Sequence, residues 1–239
     1  MKRAAPLRRL IAWLGELDLI LLLAVFAMAT GLWTFLAIAD RVAGGTTQHL
    51  DDRLILALRH PNDPSDPIGP AWMEEVGRDL TALGGMAVLS LTTAAVAGFL
   101  FIRRRYHAMG FLLGATVGGL ALSLLLKNHF ARPRPELVPH LSRVYTSSFP
   151  SGHSMLSAVV YLTLGALLAR LVKGPALKVY VLSIAMLLTF LVGVSRVYMG
   201  VHYPTDVLAG WSVGLSWAIL CWLVARRLQR EGVVEGSAE

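Results

Sequence analysis

An all-α, polytopic membrane protein with six transmembrane helices and cytoplasmic N- and C-termini is the fold class that this 239-residue sequence predicts. Three observations predict it. The chain is 55% hydrophobic, with a mean hydropathy of +0.60, too apolar for a soluble domain whose surface must be covered by polar groups. Six stretches approach the roughly 20 apolar residues needed to cross a bilayer. Lysine and arginine cluster in alternate connections between them, as cytoplasmic loops require.

The first span runs from Leu19 to Ala39. Lys2, Arg3, Arg8 and Arg9 precede it as they would a signal peptide, but its apolar core exceeds the roughly 7 to 15 residues of such a leader, so it is expected to be retained. Residues 1–18 form a cytoplasmic and interfacial segment, where Leu7, Leu10, Ile11, Trp13 and Leu14 among arginines predict a short helix on the membrane surface. Residues 40–82 form an extracytoplasmic segment with eight acids against four arginines. Its P-N-D-P-S-D-P-I-G-P run cannot be continuous helix. Two short interfacial helices, Asp51 to Leu58 and Ala71 to Leu83, are expected around it.

The second span is Leu83 to Ile102 and the third Ala108 to Leu126, in which Gly110, Gly114 and Gly118 recur every four residues, a spacing suited to close packing against another span. The fourth is Met155 to Val172, the fifth and shortest Val179 to Val194, and the sixth Val207 to Ala225. Residues 19–225 are thus read as a six-helix domain and 226–239 as a cytoplasmic tail. Arg103, Arg104 and Arg105, then Arg170, Lys173 and Lys178, then Arg226, Arg227 and Arg230 fall on the same side as the N-terminal cluster. The connections after spans three and five fall on the other.

The net charge of +7 carries this topology signal and no basic patch interleaved with aromatics, so no nucleic-acid partner is expected. The single cysteine, Cys221, excludes an intrachain disulfide and a cysteine metal cluster.

Three stretches carry chemistry. At the end of the third span, K-N-H-F-A-R-P-R-P places Lys127, Arg132 and Arg134 within eight residues on the side where basic residues are disfavoured, which points to anion binding. P-S-G-H at 150–153 offers Ser151 as an N-cap, and a helix start is a ready anion site. There Gly152 leaves room for an oxygen, and His153 is held beside it. S-R-V-Y-M-G-V-H-Y-P-T-D supplies Arg196, with His202 and Asp206 four apart, so that the carboxylate can orient the imidazole. Taken singly, each stretch also suits an ordinary interfacial helix end.

Together they read K-x-x-x-x-x-x-R-P, P-S-G-H and S-R-x-x-x-x-x-H-x-x-x-D, an order and spacing that resemble the tripartite signature of the type 2 phosphatidic acid phosphatase superfamily. The six-span layout resembles its membrane-bound lipid phosphate phosphatase branch. Arg132-Pro133 competes with Arg134-Pro135, and the six-residue spacing from Lys127 selects Arg134.

The resemblance implies a phosphatase working through a phosphohistidine: His202 as nucleophile, Asp206 as its orienting carboxylate, and His153 as the acid that protonates the leaving oxygen and later activates water. Lys127, Arg134, Ser151, Gly152 and Arg196 would bind phosphate. The charge argument agrees, since phosphoryl transfer needs spread negative charge neutralised by metals or by cations. No carboxylate cluster of the kind magnesium prefers lies beside these motifs, and His49, His60, His107, His129 and His140 lack helical-spacing partners. A metal-independent, cofactor-free hydrolase is expected. Its partners would be the bilayer and a lipid phosphate: undecaprenyl diphosphate, phosphatidylglycerol phosphate or phosphatidate. The site would face the periplasmic side of a cytoplasmic membrane. A lipid phosphotransferase using the same intermediate and a non-catalytic anion-binding or transport protein are the alternative readings; motifs at helix ends rather than mid-membrane weigh against transport.

Overall fold

The computed structural model describes residues 19–142 and 146–230. The expected surface helix within residues 1–18 and the tail beyond 230 lie outside the described residues. In chain order the elements are α1 (Leu19–Ala43), α2 (Gln48–Leu56), β1 (Arg59–His60), β2 (Asp63–Pro67), α3 (Trp72–Leu83), α4 (Met86–Ile102), α5 (Tyr106–Phe130), α6 (Gly152–Leu171), α7 (Pro175–Tyr198) and α8 (Pro204–Arg230).

Helices α1, α5, α6, α7 and α8 are each long and apolar enough to cross a membrane. The remaining span, the second in chain order, has a break. Helices α3 and α4 pass that test only together, and they meet at a 45° bend. Their junction, Leu83-Gly84-Gly85-Met86, falls where the sequence places the boundary between the interfacial helix Ala71 to Leu83 and the span Leu83 to Ile102; the structure adds that the two pass together as one bent span. The freed Leu83 carbonyl accepts a hydrogen bond from Tyr161 Oη of α6 at 2.7 Å, which supplies inside the bundle what water would supply outside. A Cβ on Gly84 would stand 2.3 Å from Val192 Cγ1 and 3.3 Å from His153 Cβ, so glycine is what lets the bend seat against α6 and α7.

The two short helices expected in the 40–82 segment are present as α2 and α3, with α2 starting earlier, at Gln48. Between them the proline-rich run forms a small antiparallel hairpin, pairing Arg59 with Pro67 and His60 with Asp63, an addition to the all-helical expectation. Prolines are tolerated there because each strand has an unpaired edge.

Helix α6 is the axis of the bundle, packing against α4, α5, α7 and α8. All seven residues from Ser154 to Val160 are buried, so every face of its first two turns is covered. The bilayer-facing residues are large and apolar, among them Phe26 and Trp33 of α1, Leu91 and Phe99 of α4, and Val179 and Phe190 of α7.

The glycine spacing in α5 does not do what it suggested. A Cβ on Gly110 or Gly114 would meet nothing within 4 Å, and only Gly118 is pressed, by Trp217. The close approach is made by α8: a Cβ on Gly210 would lie 2.7 Å from Ser151 O, and one on Gly214 2.6 Å from Met155 O. The same four-residue spacing there seats α8 directly on the backbone of α6.

Candidate active site

Four helix ends meet at one end of the bundle: the C-termini of α5 and α7 and the N-termini of α6 and α8. Helices α5 and α7 run past the apolar windows read from sequence, and their last turns carry Lys127 and Arg196. Ser151 caps α6, accepting from Ser154 N at 3.4 Å and from Ser154 Oγ at 2.9 Å, which leaves its own hydroxyl proton uncommitted. Among the described residues the Gly152 and His153 N–H groups meet no backbone carbonyl, as expected at a helix start. A Cβ on Gly152 would lie 3.2 Å from Lys127 Cε, so that glycine does keep the helix start open beside the lysine.

His202 lies in the five-residue turn between α7 and α8 and is almost completely buried. Its Nδ1 is 3.4 Å from Asp206 Oδ2 and 3.3 Å from Ser148 Oγ. Its Nε2 is 3.2 Å from Arg134 Nη1. A guanidinium can only donate, so Nε2 is the unprotonated nitrogen and the ring proton sits on Nδ1, facing the carboxylate. That tautomer leaves a lone pair available for attack. Burial first, then the charges of Arg134, Arg196 and Lys127, hold the imidazole well below its ordinary pKa, so it stays neutral at neutral pH.

Asp206 is fixed on all sides. Its Oδ2 accepts from Ser148 Oγ and, at 2.9 Å, from Tyr203 N, while Oδ1 accepts from Arg132 Nη1 at 2.7 Å. Its backbone carbonyl accepts from Ser151 N at 2.9 Å, tying the starts of α6 and α8 together.

The two arginines of the R-P-R-P run separate by role. Arg134 Nε binds Thr146 O at 2.8 Å and Nη1 binds Val201 O at 2.6 Å, holding the guanidinium against His202. Burial lowers its pKa against the opposing pull of Asp206. Arg132 turns away, bridging Asp206 and Asp51 and lying 4.2 Å over the Tyr203 ring. Burial works to lower its pKa, but Asp206 and Asp51 outweigh that and raise it.

Lys127 Nζ donates to Ser147 O at 2.6 Å. Arg196 is buried, donates from Nη1 to Thr81 Oγ1 of α3 at 2.8 Å, and has no hydrogen-bond partner at Nε among the described residues. His153 makes no hydrogen bond there, and its side chain lies against Gly84 at the α3–α4 bend.

All eight residues singled out from the sequence therefore lie on these four helix ends and their connections. Sequence reasoning missed Ser148, Thr81, Thr205 and Asp51. Ser148 lies two residues before P-S-G-H and could have been suspected; nothing in the local pattern marks the others.

The arrangement has a definite charge. Four cations (Lys127, Arg132, Arg134, Arg196) face two carboxylates (Asp51, Asp206), leaving two net positive charges, the complement of a phosphate monoester dianion. Both oxygens of Asp206 and both of Asp51 already accept hydrogen bonds. Among the described residues no group of three or more histidine, cysteine or acidic side chains could hold a metal ion.

The PAP2 superfamily profile matches residues 107–230. The chain is 36% identical over 185 residues to phosphatidylglycerophosphatase B of Bacillus subtilis, covering 76% of this chain and 86% of that one. It is 30% identical over 189 residues to a lipid A 1-phosphatase of Rhizobium johnstonii, covering 67% and 73%. A crystal structure of a transmembrane PAP2-type phosphatidylglycerolphosphate phosphatase from Bacillus subtilis superposes with a TM-score of 0.74 at 31% identity, covering 86% of this chain and 98% of that one.

Proposed function

Because the chain belongs to the PAP2 superfamily and is a multi-pass membrane lipid phosphatase, we propose that it removes the terminal phosphate of a glycerophospholipid phosphate, phosphatidylglycerol phosphate first among them, through a phosphohistidine on His202. The observation that carries this is the orientation of His202, with Nδ1 towards Asp206 and Ser148 and Nε2 towards the Arg134 guanidinium. The naming of the Bacillus subtilis relative favours the glycerophospholipid over the other lipids considered.

In this reading Nε2 attacks phosphorus as the bond to the lipid oxygen breaks, and His153 gives that oxygen its proton. The positive charge that forms on the His202 ring is stabilised by Asp206. Water then attacks phosphorus, His153 takes its proton, and the N–P bond breaks to release inorganic phosphate. Lys127, Arg134 and Arg196, with the Ser151 hydroxyl and the Gly152 N–H, hold the equatorial oxygens. The partnerless Arg196 Nε supports its place in that set, since a buried donor without an acceptor is costly.

The test is phosphate release by the purified protein in detergent from phosphatidylglycerol phosphate, phosphatidate and undecaprenyl diphosphate. The expected result is highest kcat/KM on phosphatidylglycerol phosphate, full activity in EDTA, and inhibition by vanadate, which mimics five-coordinate phosphorus. Preference for the isoprenoid diphosphate would overturn the substrate assignment. Loss in EDTA that magnesium restores would overturn the metal-free mechanism.

The same reading places the site on the extracytoplasmic side, both termini being cytoplasmic, because the lysine and arginine clusters of residues 103–105 and 170–178 lie at the opposite ends of the spans. In a Cys221→Ser background, a membrane-impermeant thiol reagent applied to intact cells should label Asn62→Cys, in the hairpin turn, and spare Lys173→Cys, before α7. The reverse pattern would place the site in the cytoplasm.

A further inference from the structure

We infer that Asp51, on the short helix α2 outside the matched family region, is a positioning residue for the reaction: through Arg132 and Thr205 it holds the Asp206 carboxylate that orients His202. This rests on the proposed role of His202.

Asp51 is fully buried, and both of its oxygens are used. Oδ2 accepts from Arg132 Nη2 at 2.8 Å and from Thr205 Oγ1 at 2.6 Å; Oδ1 accepts from Thr205 N at 3.1 Å. Thr205 is the second residue of α8, so Asp51 satisfies one of the N–H groups that a helix start leaves unpaired and places negative charge where the helix dipole favours it. Thr205 Oγ1 in turn accepts from Arg132 Nη1 at 2.9 Å. The same Nη1 reaches Asp206 Oδ1. Gln48 completes the set, accepting from Arg132 Nη2 at 3.2 Å and donating to Tyr203 Oη at 3.0 Å.

Two consequences follow for His202. Geometrically, Arg132 occupies Oδ1 of Asp206 and leaves Oδ2 for the imidazole side, and Asp51 decides where the guanidinium sits. Electrostatically, a guanidinium shared between two carboxylates withdraws less charge from Asp206 than one devoted to it. Asp206 therefore keeps more of its power to stabilise the imidazolium formed when Nε2 bonds to phosphorus. The hairpin braces the other end of the same turn: buried Arg59 donates from Nη2 to Tyr198 O, a carbonyl at the C-terminus of α7, at 3.1 Å. The 40–82 segment thus grips the His202 turn at both ends.

Asp51→Asn keeps the shape and removes the charge. It should lower kcat about 10- to 100-fold, the scale on which a partner one step removed from a working imidazole acts. Inhibition by inorganic phosphate should not weaken, because Lys127, Arg134 and Arg196 are untouched and the site gains net positive charge rather than losing it. Rates are referred to active sites counted by trapped phosphoenzyme, so a smaller folded fraction would not lower kcat. If Asp51 acts through Arg132, adding Asp51→Asn to Arg132→Lys should cost little beyond Arg132→Lys alone. Should Asp51→Asn fail to fold, Thr205→Val, which removes the shared hydroxyl, carries the same expectation.

Unchanged kcat per site, a parallel loss of phosphate affinity, or full additivity with Arg132→Lys would overturn the inference. Wild-type activity on the lipid panel, lost in Asp206→Asn, is the control. If that control fails, the reading of His202 falls; if it holds while Asp51→Asn is normal, only the role of Asp51 falls.

Discussion

His202→Ala is expected to abolish turnover of every substrate, whatever the leaving group, with a loss in kcat on the order of 10⁶, the scale seen when a covalent nucleophile is removed. The geometry gives the reason. His202 is the imidazole whose free nitrogen faces the cations, and its other nitrogen is already committed to Ser148 and Asp206. No second nucleophile stands in that position among the described residues. Measured with p-nitrophenyl phosphate and with lipid, the variant should show neither steady turnover nor a burst. Because the folded protein holds this ring well below its ordinary pKa, the wild type should keep its nucleophile neutral as the pH falls through about 6.5, where a free histidine protonates. The sign for stability is opposite. The unfolded chain takes up that proton first, so His202 makes the fold less stable as pH drops below about 6.5.

His153→Ala should separate substrates by leaving group. An alcohol leaves poorly as an alkoxide and needs the proton; p-nitrophenolate does not. A general acid is worth roughly 10²- to 10⁴-fold, and that loss should appear in phosphoenzyme formation from phosphatidylglycerol phosphate. Phosphoenzyme formation from p-nitrophenyl phosphate should fall far less. Hydrolysis of the intermediate still needs a base for water, so phosphohistidine should accumulate, giving a burst near one equivalent of p-nitrophenol followed by slow release. Loss of the burst as complete as in His202→Ala, or label trapped on His153 in the wild type, would reverse the two assignments. His153 suits this role because its ring is pressed beside Gly84 and makes no fixed hydrogen bond among the described residues, leaving its nitrogens for the substrate.

Much of this was legible in the sequence, for physical reasons that differ by element. The spans were legible because hydrocarbon tolerates little but continuous apolar helix. The three motifs were legible because each sits where an apolar run gives way to charge. The choice of Arg134 over Arg132 rested on spacing, and the structure places Arg134 against His202 and Arg132 against two carboxylates. The boundary between α3 and α4 was legible, since the apolar run begins at Leu83 after an acidic, amphipathic stretch; that the two helices together make one bent span was not, because it depends on how Gly84 seats against α6 and α7. The glycines of α5 misled because spacing fixes a helix face and says nothing of what lies opposite; lipid, in the case of Gly110 and Gly114, needs no glycine. Asp51 was illegible for a different reason. More than 150 residues separate it from Thr205, and only folding makes an acid on an amphipathic helix into the cap of another.

Where α8 rests on α6 at Gly210 and Gly214, both meet backbone atoms of α6 together with the Cβ atoms of Ser154 and Ala158, and the Ser151 N–H closes onto the Asp206 carbonyl at the top of that joint. His153 rides on one helix and His202 lies two residues before the other, so in the proposed mechanism both sides of the reaction are referred to this one contact. Helices adapt to thicker or thinner bilayers by tilting, but a tilt of α8 relative to α6 is opposed by this backbone contact. On the proposed roles of His153 and His202, that contact also fixes their separation. A single methyl group added at Gly210 should therefore push the starts of α6 and α8, and with them the two histidines, apart.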